Sequence, residues 1–238
     1  MNTGWLSAVY HRPFIYNPPQ GPLEIIHEDK DVLIVNKPAG LLSVRGRLSA
    51  HQDSLEARVQ ALWPHARIVH RLDLDTSGVL VLALNPRAHK ALGRQFEKRI
   101  IKKSYEALLW GELHSRQGII ELPLIVDWAN RPRQILSYQH GRMAITEFTC
   151  LNFSHGISHV QLKPVTGRTH QLRVHMLALG HPILGDSLYA PDKAYRTLPR
   201  LALHASTLEL RHPENGDWHH FKSVCDFKEI RSSANYPG

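Results

Sequence analysis

His70-Arg71-Leu72-Asp73-Leu74-Asp75-Thr76-Ser77-Gly78 gathers two carboxylates, an arginine, a histidine, two hydroxyls and a glycine directly before the apolar run Val79–Leu84. A loop held against a buried strand is where catalytic groups commonly sit. An aspartate has a reference pKa of about 3.9, so Asp73 offers an ionised nucleophile or base at neutral pH. The same composition also suits a solvated turn capped by Asp75, Thr76 and Ser77, and the residues alone leave both readings open. Further cations stand at Arg45 and Arg47 around Gly46, in the run Arg94, Lys98, Arg99, Lys102 and Lys103, and at Lys163, Arg168, His170 and Arg173 around one expected helix start. Such runs are either solvated faces or tracks for phosphate. The many histidines include His170, His175, His181 and the pair His219-His220, but no HExxH and no Cys/His zinc spacing occurs, so no metal site is expected. His-Arg-Leu-Asp lacks the Gly-rich loop and DFG of a kinase, and Asp75 stands where a nucleophile elbow needs glycine.

The elements that must hold these groups follow from pattern and punctuation. Leu23–Ile26 and Val32–Val35 read as short strands around an acidic turn, after a stiff Pro-rich lead-in at Asn17–Pro22. Asp53 or Ser54 can cap a helix that Pro64 ends. Ile68–Leu72 and Val79–Leu84 are expected strands flanking the Asp73 loop. Asn85-Pro86 opens a helix to about Ile100, with Asn as cap and Pro at the first position. Lys103–Trp110 alternates as a strand, and Ile119–Leu162 reads as a meander broken by Gly, Pro and Asn. Thr169 is the expected cap of a helix reaching Leu179, stopped by Gly180. Leu201–Leu210 and Trp218–Val224 read as closing strands. Strand runs joined by hairpins give an α/β (α+β) chain with a largely antiparallel sheet.

A chain of 238 residues with 42% hydrophobic content can bury a sizeable core. Its net charge of +8 favours an anionic partner. No apolar run approaches the ~20 residues of a membrane span. Met1–Tyr10 shows no basic segment followed by an apolar core, so no signal peptide is read. Two cysteines, Cys150 and Cys225, make no disulfide framework and suit a reducing compartment. Nucleic acid is the expected partner, no membrane is expected, and the expected location is cytoplasmic.

HRLDxxTSG resembles the signature of the RluA-type pseudouridine synthases. Asn36-Lys37-Pro38-Ala39-Gly40-Leu41, Lys103-Ser104-Tyr105-Glu106-Ala107, Gly167-Arg168-Thr169-His170-Gln171-Leu172-Arg173-Val174-His175 and Gly180-His181-Pro182-Ile183-Leu184-Gly185-Asp186 resemble further segments of that family, in its order. The resemblance implies a bent, mainly antiparallel sheet with flanking helices and a central catalytic cleft. It implies an RNA pseudouridine synthase without cofactor, in which Asp73 is the nucleophile, Arg173 its ion partner and Tyr105 the residue that stacks on uracil and serves proton transfer. Arg71 would help flip the target base, a planar cation being a reasonable wedge. Arg45, Arg47, Arg94, Lys98, Arg99, Lys102, Lys103, Arg168 and His170 would contact RNA. The expected organisation is an irregular extension over 1–20 and one catalytic domain over 21–230, with no separate N-terminal RNA-binding domain. Gly40–Val44, Asp127–Pro132 and His175–Pro182 resemble the short, stand-alone branch acting on 23S rRNA and the tRNA anticodon stem-loop, and a monomer is expected. The alternative is an RNA-binding or RNA-folding protein of the same fold without chemistry.

Overall fold

Among the described residues, local signals start two of the four α-helices. Ser54 accepts the amide of Ala57 at 3.1 Å and opens α1 (Leu55–Leu62). Asn85 accepts the amide of Ala88 at 2.9 Å and opens α2 (Pro86–Glu97), with Pro86 at a position that needs no N–H. The other cap candidate, Asp53, instead grips Arg58 through both carboxylate oxygens at 2.8 and 2.7 Å. The computed structural model describes residues 8–225 and Phe227. Residues 1–7 of the expected extension, and 226 and 228–230 of the expected domain, lie outside the described residues.

In chain order the strands are β1 (Glu24–Glu28), β2 (Val32–Lys37), β3 (Arg67–Ile68), β4 (Ser77–Ala83), β5 (Lys102–Trp110), β6 (Gln117–Val126), β7 (Gln134–Leu136), β8 (Arg142–Ser154), β9 (Ile157–Pro164), β10 (Leu203–Arg211) and β11 (Trp218–Lys222). The remaining helices are α3 (Gln171–Ala178) and α4 (Asp192–Arg196). They belong to two compact units. One holds residues 14–104 and 204–225, the other residues 105–203 with 8–13 and Phe227.

In the first unit β2 pairs antiparallel with β1 and β4, and β3 adds antiparallel to β4. β10 joins β4 in parallel through His204↔Ser77 and Ala205↔Gly78, and β11 closes antiparallel on β10. Val32, Ile34, Val79, Val81 and Ala83 pack with Ala88 and Leu92 of α2 and with Leu208 and Leu210. β4 is buried along its whole length, which is why it reads as a continuous apolar run rather than an alternation.

In the second unit β5, from Tyr105 onward, pairs with β9, then β8, β6 and β7 follow, all antiparallel. β8 and β9 are joined by His155-Gly156, both at positive φ (51° and 71°), as the tightest hairpin turn requires. Val174 and Leu177 of α3 cover Leu124, Ala144 and Tyr189. The chain is thus a mixed α/β protein with mostly antiparallel pairing, as expected.

Three local expectations change. Ile68–Leu72 is not a full strand, because only Arg67 and Ile68 pair with β4. Thr169 does not cap α3: His170 takes the cap position at φ 53° with no side-chain bond, while Gln171 Oε1 reaches back to the amide of Arg168 at 3.0 Å. α4 has no counterpart in the sequence reading, since five residues carry too little periodicity to be seen.

Candidate active site

The loop carrying Asp73 is fixed from both sides. Ser43 Oγ donates to the Leu72 carbonyl at 2.7 Å and accepts the Leu72 amide at 3.1 Å. The Leu74 carbonyl accepts from the Gly40 amide and from Lys37 Nζ, each at 3.0 Å. Lys37 is fully buried, and its Nζ also donates to the carbonyls of Pro38 at 2.8 Å and Leu41 at 2.7 Å. A buried amine with several well-placed acceptors is an anchor, since losing one would leave a polar group without compensation. Asp73 itself is half-buried, and its carbonyl accepts the Thr76 amide at 3.2 Å. The peptide groups on both sides of Asp73 are therefore held, which fixes the backbone that carries the carboxylate.

The rest of the motif serves the same end. His70 Nε2 accepts the Val81 amide at 3.2 Å, so the imidazole takes over from β3 where the strand stops. The ring stacks on Phe96 with centroids 4.6 Å apart. Burial, then the nearby Lys103 charge, push the His70 imidazole down to about 3, so it stays neutral at physiological pH and keeps its accepting lone pair. Ser77 Oγ lies 2.9 Å from His204 Nδ1 in the parallel β4–β10 contact. Gly78, at φ 116°, cannot carry a side chain, because a Cβ there would stand 2.2 Å from the Ala205 carbonyl oxygen.

The second unit builds a site around Arg173, which is 3% exposed. Its Nε and Nη2 form a fork to Asp186 Oδ2 and Oδ1 at 2.8 and 2.7 Å. Oδ1 also accepts the amides of Leu188 at 2.9 Å and Tyr189 at 3.1 Å. Burial raises the Asp186 pKa, but the Arg173 charge and these donors outweigh it and hold the carboxyl below its ordinary value. The guanidinium carbons of Arg173 and Arg133 each lie 5.0 Å from the centre of the Tyr189 ring. The Tyr189 hydroxyl accepts the Gln134 amide at 2.8 Å and is hydrogen-bonded to His170 Nδ1 at 2.7 Å. Burial foremost, then the Arg173 charge, lowers the His170 pKa well below its usual value, so the ring is neutral at physiological pH.

The N-terminal segment is strapped onto the same turn. Arg12 Nη1 donates to the carbonyls of Ser187 at 2.8 Å and Asp186 at 3.4 Å. Its Nη2 donates to the Ala190 carbonyl at 2.9 Å and to Asp192 Oδ1 at 2.8 Å. The guanidinium sits over the rings of Tyr195 and Tyr10, at 3.9 and 4.7 Å. Arg133 donates to the carbonyls of Ala8 at 2.7 Å and of Leu188. Asp186, Tyr189, Arg133 and Arg12 were not singled out for function in the sequence. Only the resemblance of Gly180–Asp186 to a family segment pointed near one of them.

The expected site residues fall into groups. Asp73, Arg71 and Lys103 lie in the first unit. Tyr105, on β5 opposite Leu162, lies in the second with Arg168, His170 and Arg173. Arg47, Arg71, Arg94, Lys98 and Arg99 are exposed, and none has an ion-pair partner among the described residues. Arg45 is engaged by Gln60 at 2.9 Å and Glu56 at 3.6 Å. Lys102 meets Glu209 at 3.4 Å and the Trp218 ring at 5.1 Å. Lys103 is half-buried beside His70, and burial lowers its ammonium pKa, so it is not a freely solvated phosphate contact. Arg168 is half-buried at the start of α3. His170 is buried against Tyr189, on a left-handed backbone at φ 53°.

The sequence profile described as RNA pseudouridylate synthase matches residues 31–178. The chain belongs to this family. It is 52% identical over 214 residues to the dual-specificity RNA pseudouridine synthase RluA of Salmonella typhi, covering 89% of this chain and 98% of that protein. The protein of the same description from Escherichia coli K12 is 51% identical over the same shares. Among solved structures, Human RNA Pseudouridylate Synthase Domain Containing 1 superposes with a TM-score of 0.75 at 31% identity, covering 89% of this chain and 87% of that one. Human RNA Pseudouridylate Synthase Domain Containing 4 gives 0.70 at 25% identity, covering 88% and 91%. Among the described residues no helix is long and apolar enough to cross a membrane.

Proposed function

We propose that this chain isomerises loop uridines of RNA to pseudouridine, with Asp73 as nucleophile. The observation that carries the assignment is the anchoring of the residues on either side of Asp73, the Leu72 carbonyl by Ser43 and the Leu74 carbonyl by Lys37. Fixing a reactive carboxylate before substrate arrives is what makes positioned nucleophiles fast. The reaction breaks the bond from ribose C1′ to uracil N1 and forms one from C1′ to C5. The C5 proton leaves and N1, freed from C1′, gains one, so no atom or electron is gained or lost overall and the chemistry needs no redox group and no cofactor. Asp73 serves as nucleophile toward the nucleotide during this exchange. Arg173, oriented by its fork to Asp186, serves as ion partner of Asp73, Tyr105 stacks on uracil and serves the C5 proton transfer, and Arg71 wedges where the flipped base leaves.

The relatives carry the words dual-specificity in their names. Together with the sequence resemblance, this supports 23S rRNA and the tRNA anticodon stem-loop as substrates. An unpaired loop uridine costs less to flip than a stacked, paired one. The test is tritium release from C5-labelled hairpin RNA by wild type and by Asp73→Asn. The substitution keeps shape and removes the charge, so turnover should fall by several powers of ten while RNA affinity and fold stay. Activity within about tenfold of wild type rejects Asp73 as nucleophile. Binding without any turnover in wild type would favour the RNA-binding alternative.

A further inference from the structure

The turn Trp128–Asn130, a single 3-10 turn between β6 and β7, presents an indole that is 67% exposed. The guanidinium of Arg131 lies 3.7 Å from the centre of its ring. A large aromatic left so open loses burial that most tryptophans gain. Yet the loop beneath is closely tied. The Asp127 amide donates to the Arg133 carbonyl at 2.9 Å, and the Arg133 amide to the Asn130 carbonyl at 3.0 Å. The Asn130 amide and side chain both donate to Asp127, at 3.1 and 2.9 Å. Its C-terminal end is anchored where Arg173 is anchored. Arg133 lies over Tyr189, and the Gln134 amide donates to the Tyr189 hydroxyl. An aromatic face and a cation are thus held rigid at the surface, braced to the residue that also carries the catalytic arginine.

We propose that Trp128 and Arg131 form a stacking subsite for one unpaired nucleotide of the RNA substrate. One ligand uses both halves of the pair. A nucleobase supplies a π-face for the indole, and the phosphate attached to it supplies the anion for the guanidinium. A carboxylate peptide would use the cation and leave the indole idle. The net charge of +8 favours the same polyanion. The subsite rests on the RNA substrate proposed above. It adds a contact that reads a base without hydrogen bonds, so it selects for an unpaired base more than for its identity.

Binding and turnover are measured separately, with a C5-tritiated anticodon-type hairpin as probe. Fluorescence anisotropy gives Kd for wild type, Trp128→Ala, Trp128→Phe and Arg131→Gln, and tritium release gives kcat and KM. Trp128→Ala is expected to weaken Kd and raise KM by about tenfold, with kcat within about twofold, as loss of one stacked base implies. Trp128→Phe should recover most of the affinity, because it restores a ring. Arg131→Gln should flatten the slope of log affinity against log salt by about one unit. Replacing loop nucleotides one at a time by abasic sites should reveal one position whose loss weakens wild type but not Trp128→Ala. If Trp128→Ala binds the hairpin within about twofold of wild type, the subsite is wrong, because a stacked base is worth more than that. The anisotropy judges the subsite even if wild type releases no tritium, an outcome that would instead overturn the synthase reading.

Discussion

Asp186→Asn should damage stability and catalysis together. The carboxylate and Arg173 are 1% and 3% exposed, so water cannot replace the lost charge. Four donors converge on two oxygens: Arg173 Nε on Oδ2, and Arg173 Nη2, Leu188 N and Tyr189 N on Oδ1. An asparagine can keep its oxygen toward the three donors at Oδ1 only by pointing its NH2 group at the Nε–H of Arg173. One charge-assisted bond becomes a donor–donor clash, and the guanidinium loses this buried counter-charge. Breaking a buried pair from one side costs about 3–5 kcal/mol. Against a total stability of about 5–15 kcal/mol the fold should survive at 25 °C. For a chain of this size the melting temperature should fall by roughly 6–20 °C, at about 2–4 °C per kcal/mol. At 25 °C, well below the variant's transition, kcat for tritium release should also drop at least tenfold, because Arg173 no longer holds its orientation. Calorimetry and the release assay check both. A melting temperature lowered by less than about 3 °C, with kcat unchanged, would refute the argument that this fork fixes Arg173.

Other consequences follow from the same contacts. Arg12→Ala removes four hydrogen bonds from the 186–192 turn, so kcat should fall several-fold with KM nearly unchanged, and an unaltered kcat would show that the strap does not position Arg173. Lys98 and Arg99 are exposed, and neither has an ion-pair partner among the described residues; replacing both by Gln should weaken all RNAs alike and flatten the salt slope by about two units, whereas an unchanged slope makes them a solvated face. Asp29 is held at about 2: burial opposes this, but His27, the amides of Val32 and Asp31, and His212 outweigh it. Its folded value lies below the ordinary 3.8, so its stabilisation is complete above about pH 4 and lost as pH falls toward 2, and Asp29→Asn should lower the melting temperature at pH 7 more than at pH 2.5.

Much of this protein is decided by near neighbours in the chain. Asn85 and Ser54 cap their helices because the amides they satisfy lie three residues on, and the burial of β4 follows from its unbroken apolar run. The Asp73 loop announces itself because its carboxylate, hydroxyls and glycine are contiguous, and resemblance then supplied the chemistry. Tertiary structure decided what supports those groups. Lys37 reaches across 37 residues to the Leu74 carbonyl, Ser43 across 29 to Leu72, and Arg12 across 174 to the Asp186 carbonyl. No local pattern encodes such pairs, since each depends on where two distant segments meet and on burial making an uncompensated polar group costly. The same reason explains the residues whose setting differed from expectation. Lys103 and His170 read as surface cations in sequence, and only the fold shows that they are packed against His70 and Tyr189, where burial keeps both imidazoles neutral and each ring holds a hydrogen bond, His70 to the Val81 amide and His170 to the Tyr189 hydroxyl.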